Sequence, residues 1–276
     1  MTDNTLDPHT IMRDLSLIAE DAGRIINTYA DGASLPEYRV KADLSPVTAA
    51  DEAANTFIVN SLKALKLGLP IIAEESINTS TVPAIDNRSF WLVDPLDGTK
   101  EFIKRNGMFT VNIALMSRNE SRWRPIFGVV YAPVSDTTWV GGDAHPAERR
   151  DGDLTRRIKV SQEVGTPVRL VASGSHRGEK DEEFASNLGP HDLVRMGSSL
   201  KACVVAEGSA ELYPRFGPTS CWDIAAAHAI VEAAGGIVVG PEGETLDYDI
   251  VDDVLNPFFL IACSSQWNAT WARNQG

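Results

Sequence analysis

Near the amino terminus, apolar residues recur at alternating spacings of four and three, which is the period of one face of an α-helix. The residues that share this face are Ile11, Leu15, Ile18, Ala22, Ile25 and Tyr29. Asp7 is a candidate N-cap, and Pro8 suits the first helical position because proline lacks an N–H that a helix start leaves unpaired. The pattern predicts an amphipathic helix.

The segment that follows is predicted to form a short extended stretch and a second helix. Residues 38–42 indicate a strand or an extended loop, and the polar segment 43–48 leads into a helix that runs to about Leu67. The buried stripe of this helix is predicted to consist of Phe57, Ile58, Leu62 and Leu65. Residues 70–73 then indicate a strand that ends at two glutamates.

Short β-rich runs separated by turn residues occupy the middle of the chain. Residues 89–93 indicate a buried strand, which we expect Pro95 to end because proline removes a donor from the hydrogen-bond ladder. An antiparallel meander is predicted over residues 110–116, 126–131 and 137–140. The segment 143–157 is dense in charges and glycine, so we predict a flexible surface excursion there.

Strand and helix patterns alternate in the carboxy-terminal part, which is typical of an α/β arrangement. The strand-like runs are residues 168–172, 191–196, 210–213, 237–239 and 258–263, and the helices lie near Glu179, Leu200, Ile224 and Trp267. The helix that begins at Trp222 is predicted to be amphipathic and to end at Gly235. We therefore predict an α/β (α+β) fold with two subdomains, residues 1–157 and residues 158–276.

The composition is that of a globular protein, since 276 residues with 43% hydrophobic content can bury a sizeable core. The three cysteines are far apart in apolar surroundings, so neither a disulfide framework nor a zinc cluster is indicated. The start of the chain is acidic rather than basic, and no apolar run is long enough to span a membrane. We expect a cytoplasmic protein, with peripheral association with the inner membrane and the oligomeric state left open.

The formal net charge of −13 argues against a nucleic-acid polymer as partner, because binding a phosphate backbone requires a basic face that releases counterions. A small phosphate ester remains a candidate ligand. Bound cations and a few lysine or arginine side chains can reverse the electrostatic field inside one cleft of an acidic protein.

Residues 91–100, WLVDPLDGTK, lead from an apolar strand into two carboxylates and a glycine turn. Gly98 permits a tight turn before a short helix over residues 99–103. Asp94 and Asp97 repel each other unless a cation lies between them, and hard oxygen ligands suit Mg²⁺. Thr99 adds a hydroxyl, and free N–H groups at a helix start suit a phosphate. The same residues also fit an ordinary turn, because Asp, Pro and Gly dominate turns for local reasons.

Further acidic residues stand at predicted element ends, namely Asp51, Glu74, Glu75 and Asp223. Together with the two aspartates of the turn, they outline a site for more than one metal ion. Each has a structural alternative. Asp51 and Asp223 fit capping boxes with Thr48 and Ser220, and the two glutamates fit solvated loop charges.

The motifs EE (74–75), DPLDGT (94–99) and WDIAA (222–226) occur in this order along the chain. In this combination they resemble the three signatures of the inositol monophosphatase superfamily. Further segments within 41–51, 197–201 and 212–219 are similar to its CysQ branch of 3′(2′),5′-bisphosphate nucleotidases. The resemblance covers roughly residues 10–270 and implies a two-subdomain sugar-phosphatase fold with alternating layers of helix and sheet.

The resemblance also implies a Mg²⁺-dependent phosphatase with two to three ions and with sensitivity to Li⁺. The implied ligands of one ion are Glu74, Asp94 and the carbonyl oxygen of Leu96, and those of a second are Asp94, Asp97 and Asp223. A third, weaker ion is implied near Glu74, largely through water, with Glu75 in its outer shell.

Catalytic and substrate-binding residues are implied in the same way. Asp51 and Thr99 look like the pair that orients and deprotonates the attacking water, and the amides of Gly98 and Thr99 like groups that bind phosphate oxygens. Candidate substrate contacts are Ser173, His176, Lys201, Arg215 and Asp223. The chain has Gly174 where the branch more often has arginine, so the resemblance does not imply that arginine's anion contact for this chain.

The activity implied by the CysQ branch is removal of the 3′-phosphate from adenosine 3′,5′-bisphosphate, which yields AMP and phosphate. One alternative is an inositol-phosphate or other sugar-phosphate monophosphatase, because the same acidic core recognises only a phosphate ester and adjacent oxygens. Another alternative is a non-catalytic sensor that binds nucleotide or metal. The presence of Asp51 and Thr99 disfavours the sensor, since a binding protein does not have to activate water.

Overall fold

The computed structural model describes residues 7–30, 36–41, 45–77, 88–119, 122–173, 178–250 and 253–274. Within these ranges no helix is both long enough and apolar enough to cross a membrane. The helices are α1 (Pro8–Ala30), α2 (Ala49–Ala64), α3 (Thr99–Ile103), α4 (Glu179–Leu188), α5 (Leu200–Ala206), α6 (Cys221–Ala233) and α7 (Asn268–Ala272). The three cysteines are buried and unpaired, as predicted.

Helix α1 begins where the sequence predicts, because Asp7 Oδ2 accepts hydrogen bonds from the amide and the hydroxyl of Thr10 at 3.0 and 2.6 Å. The end of its buried face differs from the prediction. Ile26 is fully buried, whereas Ile25 is half-buried and Tyr29 is exposed. The buried face also contains the small residues Ser16, Ala19 and Gly23, so it is rotated from the face that the large apolar side chains mark in the sequence.

The first sheet is an almost entirely antiparallel meander. Its strands, in spatial order, are β3 (Ile71–Ala73), β4 (Ser89–Asp97), β5 (Thr110–Asn119), β6 (Arg122–Ala132), β7 (Thr137–Gly142), β8 (His145–Asp151) and β9 (Leu154–Arg157). Only β3 and β4 pair in parallel. Two shorter strands, β1 (Tyr38–Val40) and β2 (Pro46–Thr48), form a separate antiparallel pair before α2.

The prediction of a flexible excursion over residues 143–157 is wrong, because β8 and β9 extend the meander through this segment. Gly152 occupies a left-handed turn at φ 56° between the two strands. Arg149 is neutralised by Asp151 at 2.8 Å and by Glu207 at 2.7 Å. The charges therefore belong to an ordered sheet face, which their density in the sequence did not reveal.

The expectation that Pro95 ends its strand is also wrong, since β4 continues to Asp97. Asp94 is opposite Asn112 and Asp97 is opposite Thr110, so three steps along β4 match two steps along β5. A bulge of this kind accommodates a residue without an N–H donor and redirects nearby side chains.

The second sheet has the order β11-β10-β12-β14-β13 and confirms the predicted alternation of strands and helices. Its strands are β10 (Val168–Ser173), β11 (His191–Met196), β12 (Leu212–Arg215), β13 (Ile237–Val239) and β14 (Phe259–Ala262). Strands β10, β11 and β12 are parallel, whereas β14 is antiparallel to its two neighbours. We keep the division into two subdomains after residue 157 as a proposal. This boundary would lie between the last strand of the first sheet and the first strand of the second.

The alternating side chains of the strands place a different core on each face of each sheet. In β4, Trp91 and Val93 face the cluster that includes α1 and α2, whereas Phe90 and Leu92 face the cluster that includes α5 and α6. The second sheet separates α5 and α6 from α4 and α7 in the same way. The result is the predicted stack of alternating helix and sheet layers.

Helix α6 is buried nearly all round rather than amphipathic, because it lies between the two sheets. It packs against β5, β6 and β7 on one side and against β13 on the other. A Cβ atom added to Gly128 of β6 would lie 2.0 Å from the carbonyl oxygen of Ala226, so this close approach requires glycine. The burial of α6 fixes its first turn, which carries Asp223, against the first sheet.

Candidate active site

Three carboxylates from two different layers converge at the end of β4. Oxygen atoms of Asp94, Asp97 and Asp223 all lie within 4.8 Å of one another. The bulge of β4 places the first two, and Asp94 Oδ1 accepts the amide of Leu96 at 3.0 Å. Asp223 comes from the first turn of α6, where its Oδ2 accepts the Ser220 amide at 2.9 Å. Asp223 therefore both completes the capping box of α6 with Ser220 and belongs to the acidic cluster.

Burial and mutual repulsion disfavour the charged forms of these carboxylates. The pKa of Asp94 is well above its ordinary value, first because of burial and then because of the charges of Glu74, Asp97 and Asp223. Burial, followed by the charges of Asp97 and Glu74, raises the pKa of Asp223 to about 8. A bound cation would offset both effects by attracting the charged forms. The donor set consists of hard oxygen atoms, so it fits a divalent ion such as Mg²⁺.

Asp51 and Thr99 meet beside this cluster. Thr99 Oγ1 donates a hydrogen bond to Asp51 Oδ1 at 3.0 Å and lies 3.4 Å from the carbonyl oxygen of Leu96. The other oxygen of Asp51 accepts the amide and the hydroxyl of Thr48 at 2.8 and 2.5 Å, which is the capping box of α2. One oxygen of Asp51 thus anchors the helix while the other one holds Thr99. Burial raises the pKa of Asp51, and the bonds from Thr48 oppose that effect.

Glu74 and Glu75 follow β3, and the interpretation of both as solvated loop charges is wrong. Their side chains are 24% and 10% exposed, and both bind the ammonium group of Lys41, with a distance of 2.7 Å to Glu74. Burial is the main cause that raises the pKa of Glu75, to about 7. The charge of Glu74 reaches Asp94, yet its oxygens lie outside the close group of three carboxylates.

A cavity of about 120 Å³ opens from Asp97 and Asp223 toward β12. Other residues that line it include Gly98, Ser173, Ser198, Lys201 and Arg215. The predicted substrate contacts therefore lie beside the acidic cluster, except His176, which lies outside the described residues.

The two basic residues of the cavity are not solvated surface charges. Lys201 is 8% exposed, its Nζ donates to the carbonyl oxygen of Ser198 at 2.5 Å, and burial lowers its pKa to about 8. Its Nζ also lies 5.5 Å from the centroid of the Tyr213 ring. Arg215 Nη2 donates to the Pro218 carbonyl oxygen at 2.9 Å, while its buried Nε has no hydrogen-bond partner among the described residues. An ammonium group and a guanidinium group thus face the cavity with donors to spare.

Three polar residues that contact Asp97 were not predicted as part of the site. They are Asn112 of β5 and, in the turn before α5, Ser198 and Ser199. Asp97 Oδ2 accepts the hydroxyl of Ser198 and the amide of Ser199, both at 2.7 Å. Asn112 Nδ2 lies 3.4 Å from the same oxygen. A signal was present, since Thr110 and Asn112 are polar residues on one face of an otherwise apolar strand.

The chain matches the inositol monophosphatase family over residues 9–273. It is 46% identical over 248 residues to the 3′(2′),5′-bisphosphate nucleotidase CysQ of Salmonella typhimurium, which covers 88% of this chain and 96% of that protein. The protein of that name from Escherichia coli K12 is 44% identical over 245 residues, with 89% and 96% covered. The crystal structure of CysQ from Bacteroides thetaiotaomicron superposes with a TM-score of 0.79 at 35% identity, covering 94% of this chain and all of that one.

Proposed function

The chain belongs to the inositol monophosphatase family, and from this premise we propose that it is a 3′(2′),5′-bisphosphate nucleotidase. Its substrate is adenosine 3′,5′-bisphosphate, and water cleaves the bond between the phosphorus and the 3′ oxygen to give AMP and phosphate. The observation that carries the proposal is the carboxylate cluster of Asp94, Asp97 and Asp223, because a cavity lined by Lys201 and Arg215 opens from it and the Asp51–Thr99 hydrogen bond lies next to the β4 turn that carries it.

Two to three Mg²⁺ ions are the proposed cofactors. Asp94, Asp97 and Asp223 would hold one ion, and Glu74, Asp94 and the Leu96 carbonyl oxygen would hold another, with Glu75 in the outer shell of a third. When bound, divalent cations withdraw charge from a phosphate ester and from its leaving oxygen. The protein contributes the β4 bulge and the first turn of α6, which position the carboxylates.

Asp51 and Thr99 are the proposed base for the attacking water. Because the Thr99 hydroxyl donates to Asp51, its lone pairs are free to accept a proton from water. As the Thr99 oxygen takes that proton, its own hydroxyl proton moves along the 3.0 Å bond to Asp51, whose raised pKa makes it a better acceptor than an exposed aspartate. The amides of Gly98 and Thr99, at the start of α3, are the proposed donors to the phosphate oxygens.

Lys201 and Arg215 are the proposed residues that bind the distal phosphate. The acidic cluster would interact in the same way with a 3′-phosphate and with an inositol phosphate. A preference for a bisphosphate therefore has to come from basic side chains farther along the cavity. Each charge-assisted hydrogen bond to phosphate contributes about 1.5–3 kcal/mol, which corresponds to roughly ten- to over a hundredfold in specificity. Ser173 and, outside the described residues, His176 are proposed as further substrate contacts.

We predict that Lys201→Ala or Arg215→Ala lowers kcat/KM for adenosine 3′,5′-bisphosphate by at least about tenfold. Hydrolysis of adenosine 3′-monophosphate, which lacks the distal phosphate, should change by less than about threefold, and adenosine 2′-monophosphate is the reserve substrate. Lys159→Ala on the protein surface is the matched control. Equal losses on both substrates would place the two residues at the scissile phosphate or in the fold and would contradict their proposed role.

The proposed activity is tested by comparing substrates under identical conditions. Purified protein with Mg²⁺ is expected to release phosphate from adenosine 3′,5′-bisphosphate at a kcat/KM at least about tenfold above that for inositol 1-phosphate or fructose 1,6-bisphosphate. A preference for inositol 1-phosphate would favour the sugar-phosphatase alternative. Binding of the nucleotide without release of phosphate would favour the sensor.

A further inference from the structure

Ser198 lies in the turn between β11 and α5 and faces Asp97 of β4, a residue 101 positions earlier in the chain. Its backbone has φ 53°, a left-handed conformation that residues with a Cβ rarely adopt. The preceding residue also allows little space, since a Cβ on Gly197 would lie 2.8 Å from the carbonyl oxygen of Met108. The turn that brings the second sheet close to the first therefore has an unfavourable backbone conformation at Ser198, which the surrounding contacts must stabilise.

This conformation directs two donors of the turn to one oxygen of Asp97. The Ser198 hydroxyl and the Ser199 amide both reach Oδ2 at 2.7 Å. Among the described residues, every hydrogen bond to this carboxylate ends on Oδ2. These bonds fix the rotation of the carboxylate, and none of them ends on Oδ1.

Neighbouring groups hold the turn from both sides. Thr110 Oγ1 of β5 lies 2.6 Å from Ser198 Oγ, and Lys201 Nζ donates to the Ser198 carbonyl oxygen at 2.5 Å. Ser199 Oγ donates to the carbonyl oxygen of Asp223 at 2.5 Å. The turn thus contacts the carboxylate of Asp97 and the backbone of Asp223. It directly precedes α5, the helix that carries Lys201 of the cavity.

We infer that Ser198 is a positioning residue that fixes the carboxylate of Asp97 for cation binding across the junction of the two sheets. The inference rests on the proposed function only in that the cluster binds a divalent cation. Outer-shell groups that orient a metal ligand typically change metal affinity by about 10–100-fold when they are removed. The hydroxyl donates to the carboxylate itself, so its loss should appear in the affinity for the cation rather than in the chemical step.

The test measures Mn²⁺ binding by electron paramagnetic resonance on the full chain without substrate. We expect Ser198→Gly to weaken Mn²⁺ binding by about tenfold or more, since glycine tolerates the left-handed backbone but has no hydroxyl. Ser198→Ala should weaken it at least as much. Ser16→Ala is the matched control, because this buried serine of α1 bonds the Met12 carbonyl oxygen away from the site and should change binding by less than about twofold.

A kinetic readout separates positioning from a general structural role. The Mg²⁺ concentration for half-maximal activity should rise by about tenfold in Ser198→Gly, and saturating Mg²⁺ should recover most of the activity that this variant loses at low Mg²⁺. Unchanged Mn²⁺ binding in this variant overturns the inference, and so does loss of folding in both variants. Because Mn²⁺ binding needs no substrate, failure of the proposed nucleotidase activity would be seen separately.

Discussion

Replacing Asp97 with asparagine is expected to lower kcat by on the order of 10³ while the fold is retained. The side-chain oxygen of asparagine can keep the bonds from Ser198 and Ser199 that end on Oδ2 in the native protein. The amide nitrogen then replaces the other oxygen, so the proposed metal site loses one negative charge and one candidate oxygen ligand. Circular dichroism and phosphate release at saturating Mg²⁺ measure the two parts of this prediction.

The matched control is Asp143→Asn, which makes the same chemical change at an exposed site where Asp143 pairs with Arg124 at 2.7 Å. Exposed ion pairs contribute about 0–1 kcal/mol to stability, so this variant should retain near-native activity. Native circular dichroism together with near-native turnover in Asp97→Asn would show that Asp97 does not serve the proposed metal site.

Replacing Asp51 with asparagine is expected to lower kcat by about 10²–10⁴-fold, with a small change in KM. An amide oxygen can still accept the bonds from Thr48 that cap α2, so the helix start is retained. The amide cannot take a proton from Thr99, which removes the base. The measurement is kcat at a series of pH values for the native enzyme and the variant, because the ionisation assigned to Asp51 should disappear from the profile.

Two variants of the partner residue test the same pair. Thr99→Ser keeps the hydroxyl and should retain kcat within about threefold, whereas Thr99→Val removes it and should lose about as much as Asp51→Asn. The double variant Asp51→Asn with Thr99→Val should lose little more than either single variant, because residues that act as a unit are not additive. Independent, multiplying losses would contradict a shared role in activating water.

Local patterns in the sequence were sufficient for much of the fold. The N-cap at Asp7, the meander over β5 to β7 and the alternation in the second half were predicted from periodicity and turn residues, and the structure confirms them. The layered sugar-phosphatase fold came from the resemblance instead. The comparison with CysQ of Bacteroides thetaiotaomicron confirms that fold.

Two predictions were wrong because they relied on residue composition, whereas strand pairing determines the structure of these segments. The charges of residues 143–157 indicated a loop, but pairing with β7 and the bonds of Arg149 to Asp151 and Glu207 order the segment. Pro95 indicated the end of a strand, but β5 continues the pairing on the far side of a bulge. The partners that order residues 143–157 are mostly neighbouring strands, β7 and β9, so the error came from reading charge density without testing for strand pairing. For Pro95, the pairing of Asp97 with Thr110 beyond the bulge is a contact that a single proline does not reveal.

The sequence by itself determined which residue types are available for chemistry and roughly where most of the strands and helices begin, β8 and β9 excepted. Only the tertiary structure decided that Asp51 both caps α2 and binds Thr99, that Lys201 is buried, and that Ser198 reaches Asp97. The physical reason is that burial and hydrogen-bond geometry depend on the surfaces that meet when the layers pack. Periodicity shows which face of an element is apolar, whereas the packing of two sheets around α6 determines which polar groups share that interior.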